Sequence, residues 1–212
     1  MKNLRPLPFV VLLAITVLVA APCLATPQPI RPAPASGQTL GGLPDSKNPI
    51  PYKSPDGRFQ VTFPSGCARL RTRTNAQPDK ATEVVSQVVF TTCDRANVKN
   101  EGCSVIAMLG YARDVKGQAA ADRVLAEVTR QLEGYGVKPV RQTPMRRDFG
   151  ARGVVEGIDI QAQGPDGSGD FWIRGLLLGD DIYIVMAWKA SGGLWTDPVY
   201  AQFFDTFRPW AD

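Results

Sequence analysis

The sequence contains no histidine among its 212 residues. This absence excludes Ser-His-Asp triads and Cys-His dyads, and it excludes zinc, copper or haem held by histidines of this chain. A Cys-x-x-Cys motif is also missing, so a thioredoxin-like redox site lacks its usual motif. No other catalytic or cofactor motif stands out. We therefore expect no cofactor and no metal site, and the sequence favours a non-enzymatic protein over an enzyme.

Long apolar runs are scarce, and the longest lies at the N-terminus. Lys2 and Arg5 precede an apolar run at 9–21, and small residues stand at the two positions before Thr26 that a signal peptidase reads. The run is about 13 residues long, whereas a membrane-spanning helix needs about 20. The sequence predicts a signal peptide over residues 1–25, cleavage after Ala25, and a protein exported to the periplasm or secreted.

The N-terminus has two alternative interpretations. An uncleaved membrane anchor would stretch over residues 7–25. A lipoprotein would be acylated on Cys23, but that requires a small residue before the cysteine, and Pro22 stands there. No later segment is long and apolar enough to cross a membrane, so we expect no transmembrane segment in the mature chain.

The chain after the signal peptide keeps 22 of the 24 basic residues and all 20 acidic ones. A net charge of +2 is too small to indicate nucleic-acid binding. Residues 26–52 contain seven prolines and several small polar residues, which predicts a disordered linker. Residues 53–212 have the length and mixed pattern of a single domain.

The domain shows eight strand-like segments and two helix-like ones. Apolar residues at Leu125, Val128 and Leu132 share one helical face, and Asp197-Pro198 is typical of an N-cap followed by proline at the first helical position. The predicted order is four strands, helix, four strands, helix. This favours an α+β fold with a largely antiparallel β-sheet flanked by two helices. The predicted strands are 59–63, 69–73, 83–92, 103–111, 137–148, 153–163, 170–178 and 182–189.

Two sequence segments carry a family resemblance. The opening Tyr-Lys-Ser-Pro-Asp-Gly-Arg-Phe-Gln-Val-Thr-Phe-Pro (52–64) and the closing Phe-Phe-Asp-Thr-Phe-Arg (203–208) resemble the two ends of PsbP-like domains. The resemblance implies a central antiparallel sheet flanked by helices, in an exported accessory or assembly protein without catalysis. It offers no catalytic residues to carry over. We expect the partner of this chain to be an envelope protein. The cysteines and an arginine-rich second strand are not typical of that family.

Three cysteines remain after the signal peptide. Cys93 ends one predicted strand and Cys103 begins the next, so chain connectivity favours a Cys93–Cys103 disulfide. Pairing with Cys67 would require the strand 59–63 to end beside this hairpin, and which cysteine stays unpaired is left open. The segment 94–102, pinned by the disulfide, would present Arg95 and Lys99 to a partner.

Four further residues are candidates for recognition. Arg69, Arg71 and Arg73 alternate along one strand, which places them on one face. This arginine stripe either binds an anionic lipid or polysaccharide or protects an edge strand from pairing with other chains. Trp195 follows Gly192-Gly193-Leu194 in a loop and is the candidate for an exposed recognition residue; core packing is the alternative role for the tryptophans.

Two acidic features have a structural and a functional interpretation. Glu156 alternates with apolar residues, so it could be a buried acid of a carboxylate-dependent hydrolase, or it could lie at the sheet rim. Residues 164–170 carry oxygen side chains at alternate positions, as a calcium loop does, but Phe171 occupies the place of the required glycine. A hairpin turn explains the same residues without an ion.

The turn at Asp166-Gly167 also predicts a strand register. If these residues connect two antiparallel strands, Asp159 lies opposite Arg174 on the same face. Taken together, the sequence predicts an exported, non-enzymatic binding or assembly module of the cell envelope. The alternatives are the hydrolase and a surface domain that binds an anionic polymer through its arginine stripe.

Overall fold

A computed structural model of the chain describes residues 37–39, 48–54, 56–78, 85–95, 100–110, 136–150 and 153–209, together with seven positions between 122 and 133. The segment predicted as the signal peptide lies outside these residues. The described part contains one helix with a continuous range, α1 (Pro198–Thr206). Its strands are β1 (Gly37–Thr39), β2 (Ile50–Ser54), β3 (Phe59–Phe63), β4 (Cys67–Pro78), β5 (Val85–Arg95), β6 (Glu101–Leu109), β7 (Lys138–Asp148), β8 (Val154–Gln163), β9 (Asp170–Leu178), β10 (Asp181–Lys189) and β11 (Arg208–Pro209).

Two antiparallel sheets form the framework. The larger has eight strands in the order β1-β4-β5-β6-β10-β9-β8-β7, and the smaller has three in the order β11-β3-β2. One face of the large sheet packs against the small sheet and α1, where aromatic side chains such as Phe63, Phe203 and Phe207 are fully buried. The opposite face packs against helical positions that include Val128 and Leu132. Both faces of the large sheet are therefore covered near its middle.

This architecture corrects the expected fold class. The prediction of an α+β fold with two flanking helices was wrong. The described chain is mostly antiparallel β-sheet, and α1 is its single complete helix. The layer on one face is a second sheet, since β2, β3 and β11 bury alternate side chains against the large sheet. The first expected helix is described only at isolated positions.

The strand predictions themselves are confirmed. Each of the eight predicted segments overlaps one of the strands β3 to β10. Three short strands, β1, β2 and β11, were not predicted. Two of them fall at least partly in the segment expected to be a linker: β1 pairs with β4, and β2 pairs with β3. Ordered structure thus begins before residue 53.

The central strand of the large sheet is β6. All nine of its residues are buried, because it lies between β5 and β10 and both of its faces are covered. A strand buried on both sides reads as a nearly continuous apolar run, which explains why residues 103–111 showed no polar alternation. The opposite extreme is β7, an edge strand with mostly exposed residues and prolines at 139 and 144. Prolines and charges on an edge limit pairing with other chains.

The predicted register of β8 and β9 is confirmed. Asp159 lies opposite Arg174, and Ile160 lies opposite Ile173. The connection is longer than a two-residue turn, because Pro165–Gly167 form a short 3-10 turn and the Gly164 N–H donates to the carbonyl of Gly169. The total count of residues between the strands still preserves the register.

The disulfide joins Cys67 to Cys93, with their Cα atoms 5.5 Å apart, so the expected Cys93–Cys103 bond was wrong. Cys103 does lie directly opposite Cys93, as the hairpin predicted, but it takes no part in the bond. Because β4 follows β3 immediately and pairs with β5 along its length, Cys67 also lies beside Cys93. The Cα separation is within the range that a disulfide requires. Sequence could not show that β4 and β5 are neighbours.

Candidate functional site

The C-terminal end of α1 lies against strands β7 and β9 of the large sheet. The helix begins after Asp197, whose carboxylate accepts a hydrogen bond from the Val199 N–H and caps the first turn. Phe203 and Phe204 are fully buried and fix the helix against the sheet. As a result, the last turn of α1 meets side chains from the edge of the sheet.

Arg174 connects β9 to this last turn. Its Nε and Nη2 atoms are each 3.0 Å from Oδ2 of Asp159, and its Nη1 donates to the Phe204 carbonyl at 3.3 Å. The second oxygen of Asp159 accepts a hydrogen bond of 2.7 Å from the indole N–H of Trp172. Arg174 is therefore held on one side by a carboxylate and on the other by the helix.

Two more arginines reach the same turn. Arg147 of β7 donates to the carbonyls of Phe204 at 3.2 Å and Asp205 at 2.7 Å. Arg208 donates to the carbonyls of Asp205 at 2.6 Å and Phe207 at 2.7 Å. The last carbonyls of a helix have no intrahelical donor and carry partial negative charge, so positive side chains stabilise them.

Aromatic rings form the floor of this surface. The guanidinium carbon of Arg174 lies 5.1 Å from the ring centre of Phe204 and 5.8 Å from that of Trp172. Arg147 lies 5.5 Å from the ring centre of Phe149. Arginine over an aromatic face is attracted by the ring quadrupole and is held flat. We call Arg147, Arg174 and Arg208 with their aromatic floor the arginine platform.

Positive charge dominates the platform. Burial lowers the pKa of Arg147, the neighbouring charges of Arg208 and Arg174 lower it further, and Asp205 raises it in part. The arginine remains charged at neutral pH, since the ordinary pKa of a guanidinium lies far above neutrality. Burial is the largest cause of this lowered pKa, and the charges of Arg208 and Arg174 each contribute more than Asp205 opposes.

Trp195 occupies a different place from the exposed position that its loop suggested. The side chain is half-buried against the core between the two sheets. Its indole N–H donates to the Phe171 carbonyl at 3.1 Å. Trp195 therefore anchors its loop to β9, which matches the alternative core role of the tryptophans.

The arginine stripe lies on β4, far from the platform. Arg71 and Arg73 are exposed, and Arg71 forms an ion pair with Asp94 of the neighbouring strand. The structure describes only the backbone of Arg69, which lies opposite Asp94 in the strand register. Along Arg71–Arg73 the outer side of β4 pairs with β1. The stripe thus does not lie on an unpaired edge, and edge protection does not explain those two residues.

The structure does not join the remaining candidates into one site. Arg95 ends β5 with its backbone opposite Cys67, and its side chain is outside the description. Lys99 lies outside the described residues. Glu156 is exposed opposite Arg146, because the apolar cover of that face reaches Ile160 but not the outer end of β8. Glu156 is therefore not the buried acid that a carboxylate-dependent hydrolase would require.

Asp170, the last oxygen-bearing residue of the turn at 164–170, is buried and has a structural role. Its Oδ2 accepts the Leu194 N–H at 3.0 Å, and Gln163 donates to its other oxygen at 3.5 Å. These bonds hold the loop before α1 against the start of β9. Among the described residues, no group of three or more acidic or cysteine side chains could hold a metal ion.

Sequence reasoning missed the platform as a site, although some signals were present. Asp205 and Arg208 belong to the closing segment 203–208 that carried the family resemblance, and Arg174 was predicted as the partner of Asp159. Arg147 could not be placed, because β7 contains a register shift between Pro139 and Arg141 that sequence does not reveal. Nothing in the sequence alone indicated that these arginines meet at the end of α1.

The chain matches no protein-family model, and no curated protein is detectably similar to it. Within the described part of the chain, no helix is long and apolar enough to cross a membrane.

Proposed function

We propose that this chain is an exported, non-enzymatic binding or assembly module of the cell envelope, and that it docks its partner on the arginine platform. Three features support export: the basic and apolar N-terminus, the small residues before Thr26, and the buried Cys67–Cys93 disulfide. Disulfides persist mainly in oxidising compartments outside the cytoplasm. The resemblance of both domain ends to PsbP-like domains is consistent with an accessory protein of this kind.

The observation that carries the proposed docking surface is the convergence of three arginines and three aromatic rings at one helix end. Of the rings, Phe204 is fully buried, whereas Trp172 and Phe149 are half-buried. Arginine and tryptophan are the residue types most enriched at binding hot spots. Arg208 is exposed and donates to the same Asp205 carbonyl as the half-buried Arg147, and the half-buried Trp172 lies beneath Arg174. The surface combines anchored aromatic area with positive charge, which suits a partner that presents acidic groups.

A paired capture experiment tests the docking surface. Chain purified from the envelope fraction is used as bait against envelope extract, beside an Arg147→Gln/Arg208→Gln variant and an Arg71→Gln/Arg73→Gln control. We expect the wild type and the control to capture the same partner, and the platform variant to lose it. Capture should also weaken steeply between low and physiological salt, because charge pairs are screened.

Two results would contradict the proposal. Equal capture by the platform variant and the control would exclude the platform as the docking surface. A chain that stays in the cytoplasm with its N-terminus intact would exclude export; N-terminal sequencing of the envelope form should instead begin at Thr26.

A further inference from the structure

The two carboxylates that contact the platform are held very differently. Asp159 lies 3.0 Å from Arg174, and its side chain is 18% exposed. Asp205 lies 3.8 Å from Arg147 and 3.7 Å from Arg174, and its side chain is 70% exposed. The first carboxylate is therefore a fixed partner, whereas the second rests loosely between two guanidinium groups at distances too long for hydrogen bonds.

The position of Asp205 in the helix is also unfavourable. It belongs to the last turn of α1, where the helix dipole is negative and disfavours a carboxylate. Its backbone carbonyl, and not its side chain, accepts the short hydrogen bonds from Arg147 and Arg208. The side chain could therefore turn to solvent without disturbing the bonds that close the helix.

The positive charges around Arg147 exceed the negative charge of Asp205. The pKa of Arg147 is lowered by burial and by the charges of Arg208 and Arg174, with Asp205 as the one acid that opposes this. A second negative group near Arg147 would reduce that repulsion. A carboxylate close enough to accept charge-assisted hydrogen bonds from Arg147 and Arg174 would bind more strongly than Asp205 does at 3.7–3.8 Å.

We propose that the Asp205 side chain occupies the binding position for a carboxylate of the partner, and that an aspartate or glutamate of an acidic protein segment displaces it to bind Arg147 and Arg174. This inference rests on the proposed docking function and names the chemistry of the partner. Asp205 acts as an internal competitor. It keeps the arginines partly neutralised in the unbound chain and lowers the affinity for any acidic segment.

The test is a calorimetric titration of the purified chain with an acetylated and amidated pentaglutamate peptide at low salt. Asp205→Asn removes the competitor and preserves side-chain shape, so we expect binding about threefold or more tighter. Arg147→Gln should weaken binding about tenfold. Arg71→Gln, on the far side of the sheet, should change it by less than about twofold. Thermal melting of each variant checks that the fold is intact.

A purely structural role for Asp205 predicts a different result. If Asp205→Asn binds the peptide no more tightly than the wild type, the internal-competitor assignment is wrong, whatever Arg147→Gln does. Inorganic phosphate serves as the second ligand in the same cell: phosphate that binds more tightly than the peptide would overturn the carboxylate assignment.

The outcome is separable from the proposed function. If the chain captures its envelope partner through the platform but Asp205→Asn gains no affinity for that partner or for the peptide, only the competitor fails. If the peptide results hold but envelope extract yields no platform-dependent partner, the carboxylate site stands and the docking function fails.

Discussion

Asp159 lies directly opposite Arg174 on β8 and β9, and its two oxygens serve two different side chains. Oδ2 contacts Arg174 at 3.0 Å, while Oδ1 accepts the indole N–H of Trp172 at 2.7 Å. Arg174 in turn donates to the Phe204 carbonyl. One carboxylate thus connects strands β8 and β9 to the end of α1 and fixes both an arginine and an aromatic ring of the platform.

Replacing this carboxylate should destabilise the fold. Asp159→Ala leaves a mostly buried guanidinium and an indole N–H without their acceptor, and we expect a loss of about 2–4 kcal/mol in the free energy of unfolding. Urea denaturation followed by tryptophan fluorescence measures it. Glu156→Ala on the exposed part of the same strand is the matched control and should change stability by less than about 0.5 kcal/mol. Similar losses in the two variants would refute the assigned role.

The disulfide can be mapped directly, because trypsin places the three cysteines on separate peptides. Cleavage after Arg58, Arg69, Lys80, Arg95, Lys99 and Arg113 yields peptides 59–69, 81–95 and 100–113. Without reduction, mass spectrometry should recover 59–69 joined to 81–95. The buried Cys103 should react with a thiol reagent only after unfolding. A linked pair that contains 100–113 would contradict the structure.

Loss of the disulfide should cost stability through the unfolded state. The bond closes a loop with a sequence separation of 26 residues, so Cys67→Ser should lower the free energy of unfolding by about 3 kcal/mol. Chemical denaturation under non-reducing conditions measures the change. Addition of a reductant should destabilise the wild type by a similar amount and leave Cys67→Ser unaffected. An equal effect of reductant on both proteins would exclude this explanation.

Gly157 should tolerate no side chain. A Cβ atom at this position would lie 2.1 Å from the carbonyl oxygen of Gly175, which is backbone of the neighbouring strand. Gly157→Ala must therefore separate β8 from β9, at a cost of about 1–3 kcal/mol. Gly175→Ala is the control, because its Cβ would meet the flexible end of Leu125 instead. Thermal melting should rank Gly157→Ala as clearly the less stable variant, and the reverse order would show that the strands adjust freely.

Asp197 combines two roles that substitutions can separate. One oxygen caps α1, and the other is 2.8 Å from Nζ of Lys189. Asp197→Ser keeps a capping oxygen and loses the ion pair, so we expect a loss of about 1 kcal/mol or less. Asp197→Ala loses both and should cost about 2 kcal/mol. Equal stability of the two variants in urea denaturation would mean that the cap contributes nothing.

Local patterns were sufficient to predict most strands and the helix α1. The β8–β9 register followed from one turn, because an even alternation fixes which side chains share a face, and Asp159 and Arg174 share one as expected. The N-cap at Asp197 was equally local. These features depend on neighbours in sequence, and a single chain displays them directly.

Features that depend on distant pairing escaped prediction. Cys67 bonds to Cys93 because β4 lies beside β5. Strand β3 belongs to the small sheet, where it pairs with β2 and β11. Strand β11 has only two residues, which is too few to show a periodic pattern in the sequence. The arginine platform was missed for the same reason. Arg147, Arg174 and Arg208 belong to β7, β9 and β11, which are far apart in sequence, and they meet only at the end of α1.

The order of the strands has a consequence for how the chain acquires its structure during synthesis. The central pair of the large sheet joins β6 to β10, and β11, at the end of the described chain, pairs with β3 near the start of the domain. Contacts between such distant segments form slowly, since a long loop must close before they can form. The core therefore cannot close until nearly the entire polypeptide is available, so the β6–β10 and β3–β11 pairs form late in folding.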